Sequence, residues 1–193
     1  MTHPLYPPLV AAAGRAALLV AGVRPERFGD PTPCGDWDVR ALLNHYVLWT
    51  AHSFERRALR QEVPAELLER DFVAEPGWAD AYAVQLDKAV AAWSDPAVWE
   101  GDIPMGGSGM PAASIAGLVL LELVLHGWDL AKATGQDPTW PEDVAVAVAG
   151  IVAENAELYR QYEGFGALVS PPGSPSTLER ALAESGRDPG WTA

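Results

Sequence analysis

Ala112-Ala-Ser-Ile-Ala-Gly-Leu-Val-Leu-Leu121-Glu122-Leu-Val-Leu-His126-Gly-Trp-Asp129 is the stretch whose reading decides the fold. Ten residues pass without a charge before Glu122. Leucine, valine, isoleucine and alanine in this order give a helix that is apolar almost all round, so the pattern predicts a buried helix from Pro111 to Thr134. A spacing of four stacks Glu122 and His126 on one helical face. A carboxylate in an apolar interior is costly unless it is paired or bound to a metal. Two readings follow: the pair hydrogen-bonds within itself, or it holds a metal ion with ligands from elsewhere. The same stretch is long enough to span a bilayer, but Glu122 and His126 in its second half and the lack of basic flanks favour a core helix.

The rest of the composition narrows the class. A chain of 193 residues suits one well-filled domain. Its formal charge of −13 repels nucleic-acid backbones and anionic lipid, so neither nucleic acid nor a membrane is expected as a partner. A small-molecule substrate fits better. The single cysteine, Cys34, excludes an intrachain disulfide framework and fits a reducing, cytoplasmic setting. The opening Met-Thr-His-Pro-Leu-Tyr-Pro-Pro lacks the basic and apolar regions of a secretory signal.

Helical periodicity runs through the chain, and an all-α fold is expected. Helices are predicted from Leu9 to Gly22, Val39 to Leu59, Trp78 to Trp93, Pro111 to Thr134 and Pro141 to Tyr162, with short ones near Pro64–Phe72 and Thr177–Ser185. Asp36 or Asp38 caps the second of these. Trp99 to Ile103 reads as a short extended piece and Pro104 to Pro111 as a flexible loop, with the glycines at 106, 107 and 109 as a lid. That arrangement is a helical bundle over about residues 5–162, with a Pro/Gly/Ser-rich extension over 163–193, all within a single domain 1–193.

The second helix supplies the residue the buried pair needs. His45 sits among Leu42, Leu43, Tyr46 and Val47, and steps of three and four align it with Trp49 and His52. One histidine from this helix and the Glu122/His126 pair from another can converge on one ion. Two imidazoles and a carboxylate suit zinc, nickel or iron and leave positions open for water or substrate. The competing reading makes His45 a hydrogen-bonded core residue. Trp37 and Trp49 read first as core and second as pocket wall, Trp128 beside the pair is the better pocket-wall candidate, and Asp129 is placed to hydrogen-bond a ligating histidine or to cap a neighbouring group. Cys34 reads first as a small packing residue and second as a reactive thiol near the site.

Two segments resemble a known family. Pro31-Thr-Pro-Cys-Gly-Asp-Trp-Asp-Val-Arg-Ala-Leu-Leu-Asn-His45 is similar to the N-terminal signature of the mycothiol-dependent maleylpyruvate isomerase-like branch of the DinB superfamily. Glu122-Leu-Val-Leu-His126-Gly-Trp-Asp-Leu-Ala-Lys-Ala-Thr-Gly135 resembles that family's second metal motif, and Phe165-Gly166 with Gly186-Arg-Asp-Pro189 resembles the ends of its short members. The resemblance implies a DinB-like four-helix bundle with His45, Glu122 and His126 as ligands of a divalent metal, zinc foremost and nickel second. It gives His52 no ligand role. It also implies mycothiol or a similar thiol as co-substrate of a transferase or isomerase, and a possible homodimer. The family's isomerase takes a catalytic arginine from a second domain; here Arg187 is the only late arginine in a family-like motif, and the sequence alone does not bring it to the metal. The alternative is a metal- or ligand-binding module without chemistry.

Overall fold

The computed structural model describes residues 2–35, 37–105, 107–171 and 173–192. Asp36 and Gly106 lie outside them, so the cap at Asp36 and that part of the glycine lid have no structural account. Helix α1 spans Tyr6–Ala21 with prolines in its first turn, where a missing N–H costs nothing. Helix α2, Val39–Val47, is capped by Asp38, whose carboxylate accepts the Ala41 N–H at 2.8 Å. It runs through a π turn at Leu48–His52 into α3, Ser53–Ala58. A single turn, α4 (Ala65–Leu68), precedes α5, Trp78–Ala92.

Strands β1 (Asp102–Met105) and β2 (Ser108–Pro111) pair antiparallel, with Ile103 opposite Met110 and Met105 opposite Ser108. This hairpin replaces the predicted loop. Its strands are four residues long and each holds a proline, too short for an alternating pattern to show. Gly107, at φ +90°, takes a turn conformation that side chains disfavour, and Gly109 lies close against Asp102.

The long apolar helix follows at once as α6, Ala112–Leu121, a π turn at Glu122–His126, and α7, Gly127–Thr134. Gly135, at φ +71°, ends it. It is the core helix: its most apolar 18-residue window is 72% buried. Leu120, Leu123, Val124, Leu130 and Ala131 are fully buried, and each such leucine removes roughly 1.5–3 kcal/mol of apolar surface cost. Helix α1 and the α2–α3 run pack against α5; α2 also packs on α7, and α8 (Glu142–Gln161) covers α1 and α6.

The last helix, α9 (Thr177–Glu184), lies along α8 and opens with a capping box between Ser176 and Glu179. It closes with a Schellman turn. The Gly186 N–H reaches the Ala183 carbonyl at 3.1 Å and the Arg187 N–H reaches the Leu182 carbonyl at 2.9 Å, with Gly186 at φ +89°. A Cβ at Gly186 would stand 2.6 Å from the Gly166 Cα, so the chain can cross itself here only with glycine at 186. This crossing turns Arg187 inward. Gly186→Ala is expected to lower stability by about 2–3 kcal/mol, from backbone strain plus overpacking. A shift of the urea midpoint without a change of slope is the readout.

Candidate metal centre

Three side chains predicted from the sequence meet at the floor of a cleft. His45 arrives from the last turn of α2, while Glu122 and His126 bracket the π turn between α6 and α7. His45 Nε2 lies 2.8 Å from Glu122 Oε2, His126 Nε2 lies 3.7 Å from the same oxygen, and the donor atoms all lie within 4.8 Å of one another. The Glu122 side chain keeps 30% of its surface accessible. That corrects the expectation of a carboxylate sunk among leucines: Glu122 faces the cleft, with Leu118 and Leu125 beside it on the same face, while Leu120, Leu123 and Val124 are buried.

Both helices are widened by a π turn at this level, and buried polar side chains support the widening. The Tyr46 hydroxyl donates to the Leu123 carbonyl at 2.7 Å within one π turn. The Thr50 hydroxyl, in the other π turn, donates to the Tyr46 carbonyl of α2 at 2.6 Å and lies 2.9 Å from the Tyr82 hydroxyl. Backbone groups displaced by a π turn need such partners in a dry interior. Burial raises the pKa of both tyrosines, so each keeps its proton.

Behind His126 stands Asp129, a fully buried carboxylate 3.0 Å from His126 Nδ1. Arg187 approaches Asp129 from the tail, with Nε 2.9 Å from Oδ1 and Nη2 2.8 Å from Oδ2. Its Nη1 bonds the Ser185 hydroxyl at 3.2 Å. Arg187 thus does reach the site, which the sequence did not foretell. Cys34 is there too, half-buried, its sulfur forming a second cluster with His126 and Asp129 within 4.8 Å. It is therefore not a core packing residue. Because Asp129 already holds a guanidinium across both oxygens, the Cys34 cluster is the poorer cation site.

The protonation states follow from this wiring. Burial pulls the His126 pKa down, but the hydrogen bonds to Asp129 and Cys34 and the charge of Glu122 outweigh it and raise the pKa to about 10. For Glu122, burial pushes upward, yet His126, His45 and Arg187 together hold it below the usual carboxylate value. Asp129 is held down in the same way against its burial, first by Arg187 and then by His126.

Aromatic residues frame the floor. Trp37 lies over both imidazoles, its ring 4.7 Å from His45 and 5.9 Å from His126, and remains 36% exposed. It is a lid over the site, against the first reading of its sequence as core and in line with the second as pocket wall. The loop that carries it is closed by a Pro31–Asp38 bridge and by Thr32, whose hydroxyl donates to the Trp37 carbonyl at 2.9 Å. Trp49 stands 6.2 Å from His45 and lines a pocket that includes Glu122. Trp128 does not line that cleft. It is buried two residues past His126, on another face, and borders a separate cavity with Lys132 and Pro189. His52 is carried away by the π turn and stacks on Phe72 at 5.0 Å.

Two pockets open from the triad. One, of about 130 Å³, is lined by Glu122, His126, Leu125, Tyr159, Phe165 and Arg187. The other, of about 150 Å³, shares Glu122 and Leu118 and leads toward Arg57. Two imidazole nitrogens and a carboxylate oxygen, converging from two helices with one imidazole braced by a buried carboxylate, are a donor set that fits a divalent cation.

A helical protein with a His/Glu/His cluster open to a cleft is the class that this geometry defines. Residues 9–131 match the mycothiol maleylpyruvate isomerase N-terminal domain family, and the chain belongs to that family. Two uncharacterized proteins of Mycobacterium tuberculosis, one from each of two strains, are 31% identical over 164 residues, covering 85% of this chain and 81% of theirs. The crystal structure of a mycothiol-dependent maleylpyruvate isomerase superposes with a TM-score of 0.56 at 18% identity, covering 91% of this chain and 81% of that one. That likeness is one of fold.

The Asp129–Arg187 pair has a measurable consequence. Asp129→Ala leaves a nearly buried guanidinium uncompensated and should cost about 3–5 kcal/mol. Adding Arg187→Met should recover a large part of it, since the pair then leaves together. Chemical denaturation of the two single variants and the double variant measures the coupling.

Proposed function

We propose that this protein binds one divalent metal ion through His45, Glu122 and His126 and uses it in a thiol-dependent transfer or isomerisation of a small molecule. The observation that carries this reading is the convergence of the three donors at the floor of a cleft that stays open on two sides. An open coordination position distinguishes catalytic from structural sites. Zinc is the first expectation and nickel the second. Membership of the family supports mycothiol or a similar low-molecular-weight thiol as co-substrate. We further read α1, α2–α3, α5 and α6–α7 as the four-helix DinB-like core of a single domain over 1–193, acting in the cytoplasm and able to pair as a homodimer.

A divalent ion in this site would favour deprotonation of a bound thiol, which reacts as the thiolate. The chain's own residues do the rest. Asp129 fixes the ring of His126 so that Nε2 faces the cleft. Arg187 acts through Asp129, because its Nε and Nη2 are committed to that carboxylate. Trp37 and Trp49 shield the two imidazoles from water. Leu118 and Leu125, together with Tyr159 and Phe165, give one arm of the cleft an apolar wall for the body of a thiol or its partner.

Metal content of the purified protein, measured by mass spectrometry, should approach one ion per chain, and His126→Ala should abolish it. If stoichiometric metal survives that change, the ligand assignment is wrong. In the cobalt-substituted protein, added thiol should change the visible spectrum; an unaltered spectrum removes the thiol-dependent reading and leaves a binding module. The raised pKa of His126 sets the pH dependence. At pH 7.5 the metal-free imidazole carries a proton that must leave before Nε2 can ligate. Metal uptake should therefore release about one proton, and apparent affinity should rise about tenfold per pH unit toward the His126 pKa of about 10. Calorimetry in buffers of different ionisation enthalpy counts that proton.

A further inference from the structure

The pocket on the Trp49 side of Glu122 has a chemistry of its own. Trp49, Ser53 and Arg57 are spaced by four along the α2–α3 run, and Ile115, Leu118, Val119 and Glu122 follow helical spacing along α6 into its π turn. The two faces form the sides of a groove that Met105 of the hairpin covers. Its walls are apolar apart from Ser53 and the two ends. Glu122 stands at the inner end, bonded to His45, and Arg57 stands at the outer end. A volume of about 150 Å³ is that of a cavity able to take a benzene ring.

Arg57 differs from the other arginine of the cleft. Arg187 is bound across a buried carboxylate, whereas none of the ion pairs among the described residues includes Arg57. Its one protein hydrogen bond among those residues runs from Nη1 to the Pro104 carbonyl at 3.1 Å, which ties it to the hairpin. Partial burial lowers its pKa, offset in part by the more distant Glu62, so the guanidinium is incompletely solvated. A guanidinium offers five N–H donors in a planar fork that matches a carboxylate. A cation facing an apolar, ring-sized pocket in this way is a recognition element for an organic anion.

We propose that this arm binds the substrate by its carboxylate: an aromatic or comparably apolar organic acid lies between Trp49 and Ile115, with its carboxylate on Arg57 and its body extending toward Glu122. The assignment deepens the proposed function and rests on it for the reacting centre. Orientation follows from charge. The Glu122 carboxylate repels an anion from the inner end, and Arg57 is the cation at the outer end. Arg57 is then the specificity-determining residue and Met105 the cover.

The test separates this proposal from the metal assignment, because it is first performed on metal-free full-length chain. Phenylacetate and its neutral isostere phenylacetamide are titrated calorimetrically at low ionic strength into the wild type, Arg57→Gln and Arg57→Lys. The wild type should bind one phenylacetate per chain and prefer it to the amide by roughly five- to tenfold. Arg57→Gln should abolish that preference while leaving amide affinity within about twofold, and Arg57→Lys should keep a part of it, as a point charge without the fork. On a protein of net charge −13, a preference for the anion requires a local cation. Unchanged preference in Arg57→Gln overturns the proposal, as does equal binding of acid and amide by the wild type. Repeating the titration after loading one equivalent of zinc reads the metal assignment separately. A preference that appears only then, and survives Arg57→Gln, places the carboxylate on the ion and also overturns the role given to Arg57.

Discussion

The carboxylate of Asp129 is the group on which the site depends. It is fully buried, and it meets two cationic groups at once: the guanidinium of Arg187 and the imidazole of His126. A lone carboxylate in that position would be untenable, and so would a lone guanidinium. Each makes the other tolerable. The consequence reaches in two directions. Toward the cleft, the bond to Nδ1 fixes the ring of His126 and directs its other nitrogen at Glu122. Toward the surface, the bond to Arg187 ties the C-terminal tail to the core helix, through a crossing of Gly166 by Gly186 that admits no side chain at Gly186.

Around this pair the helices give up regular geometry where the chemistry is. The α2–α3 run and the α6–α7 run each carry one π turn, and these lie side by side at the level of His45, Glu122 and His126. Tyr46, Thr50 and Tyr82 hold the widened turns from within by a short chain of buried hydrogen bonds. The irregularity has a positional effect: it keeps His45 and Trp49 on the cleft while His52, aligned with them on an ideal helix, goes to Phe72. The same residues that shape the interior thus decide which histidines face the site.

How much of this was legible depended on the range of the interaction concerned. Glu122 and His126 could be read from four-residue spacing in an apolar run, and His45 from its place among core positions of a second helix. The family resemblance rested chiefly on the same motifs, and the family match over 9–131 includes all three donors. Trp37 and Cys34 read first as core and only second as site residues because their loop has no periodicity; its course is set by the Thr32 hydroxyl, which donates to the Trp37 carbonyl and accepts from the Cys34 N–H, and by a bridge between Pro31 and Asp38. The hairpin between 102–105 and 108–111 was read as a loop over most of its length because strands of four residues carry too little pattern. Trp128 seemed a pocket wall from its nearness to His126, but two residues along a helix turn a side chain through more than half a circle.

The sequence by itself determined the helical class, the core helix and the identity of the three converging side chains, because helical period and local charge cost are properties of neighbouring residues. Only the tertiary structure decided what stands around them. Arg187 lies 58 residues from Asp129 along the chain, and no local rule joins positions so far apart. Their pairing arises from a Schellman turn, a glycine crossing and the burial of two opposite charges that neither segment could bear alone. Arg57 gained its place in the same way, when the packing of α3 against α6 turned an ordinary exposed-looking helix end into the mouth of a pocket.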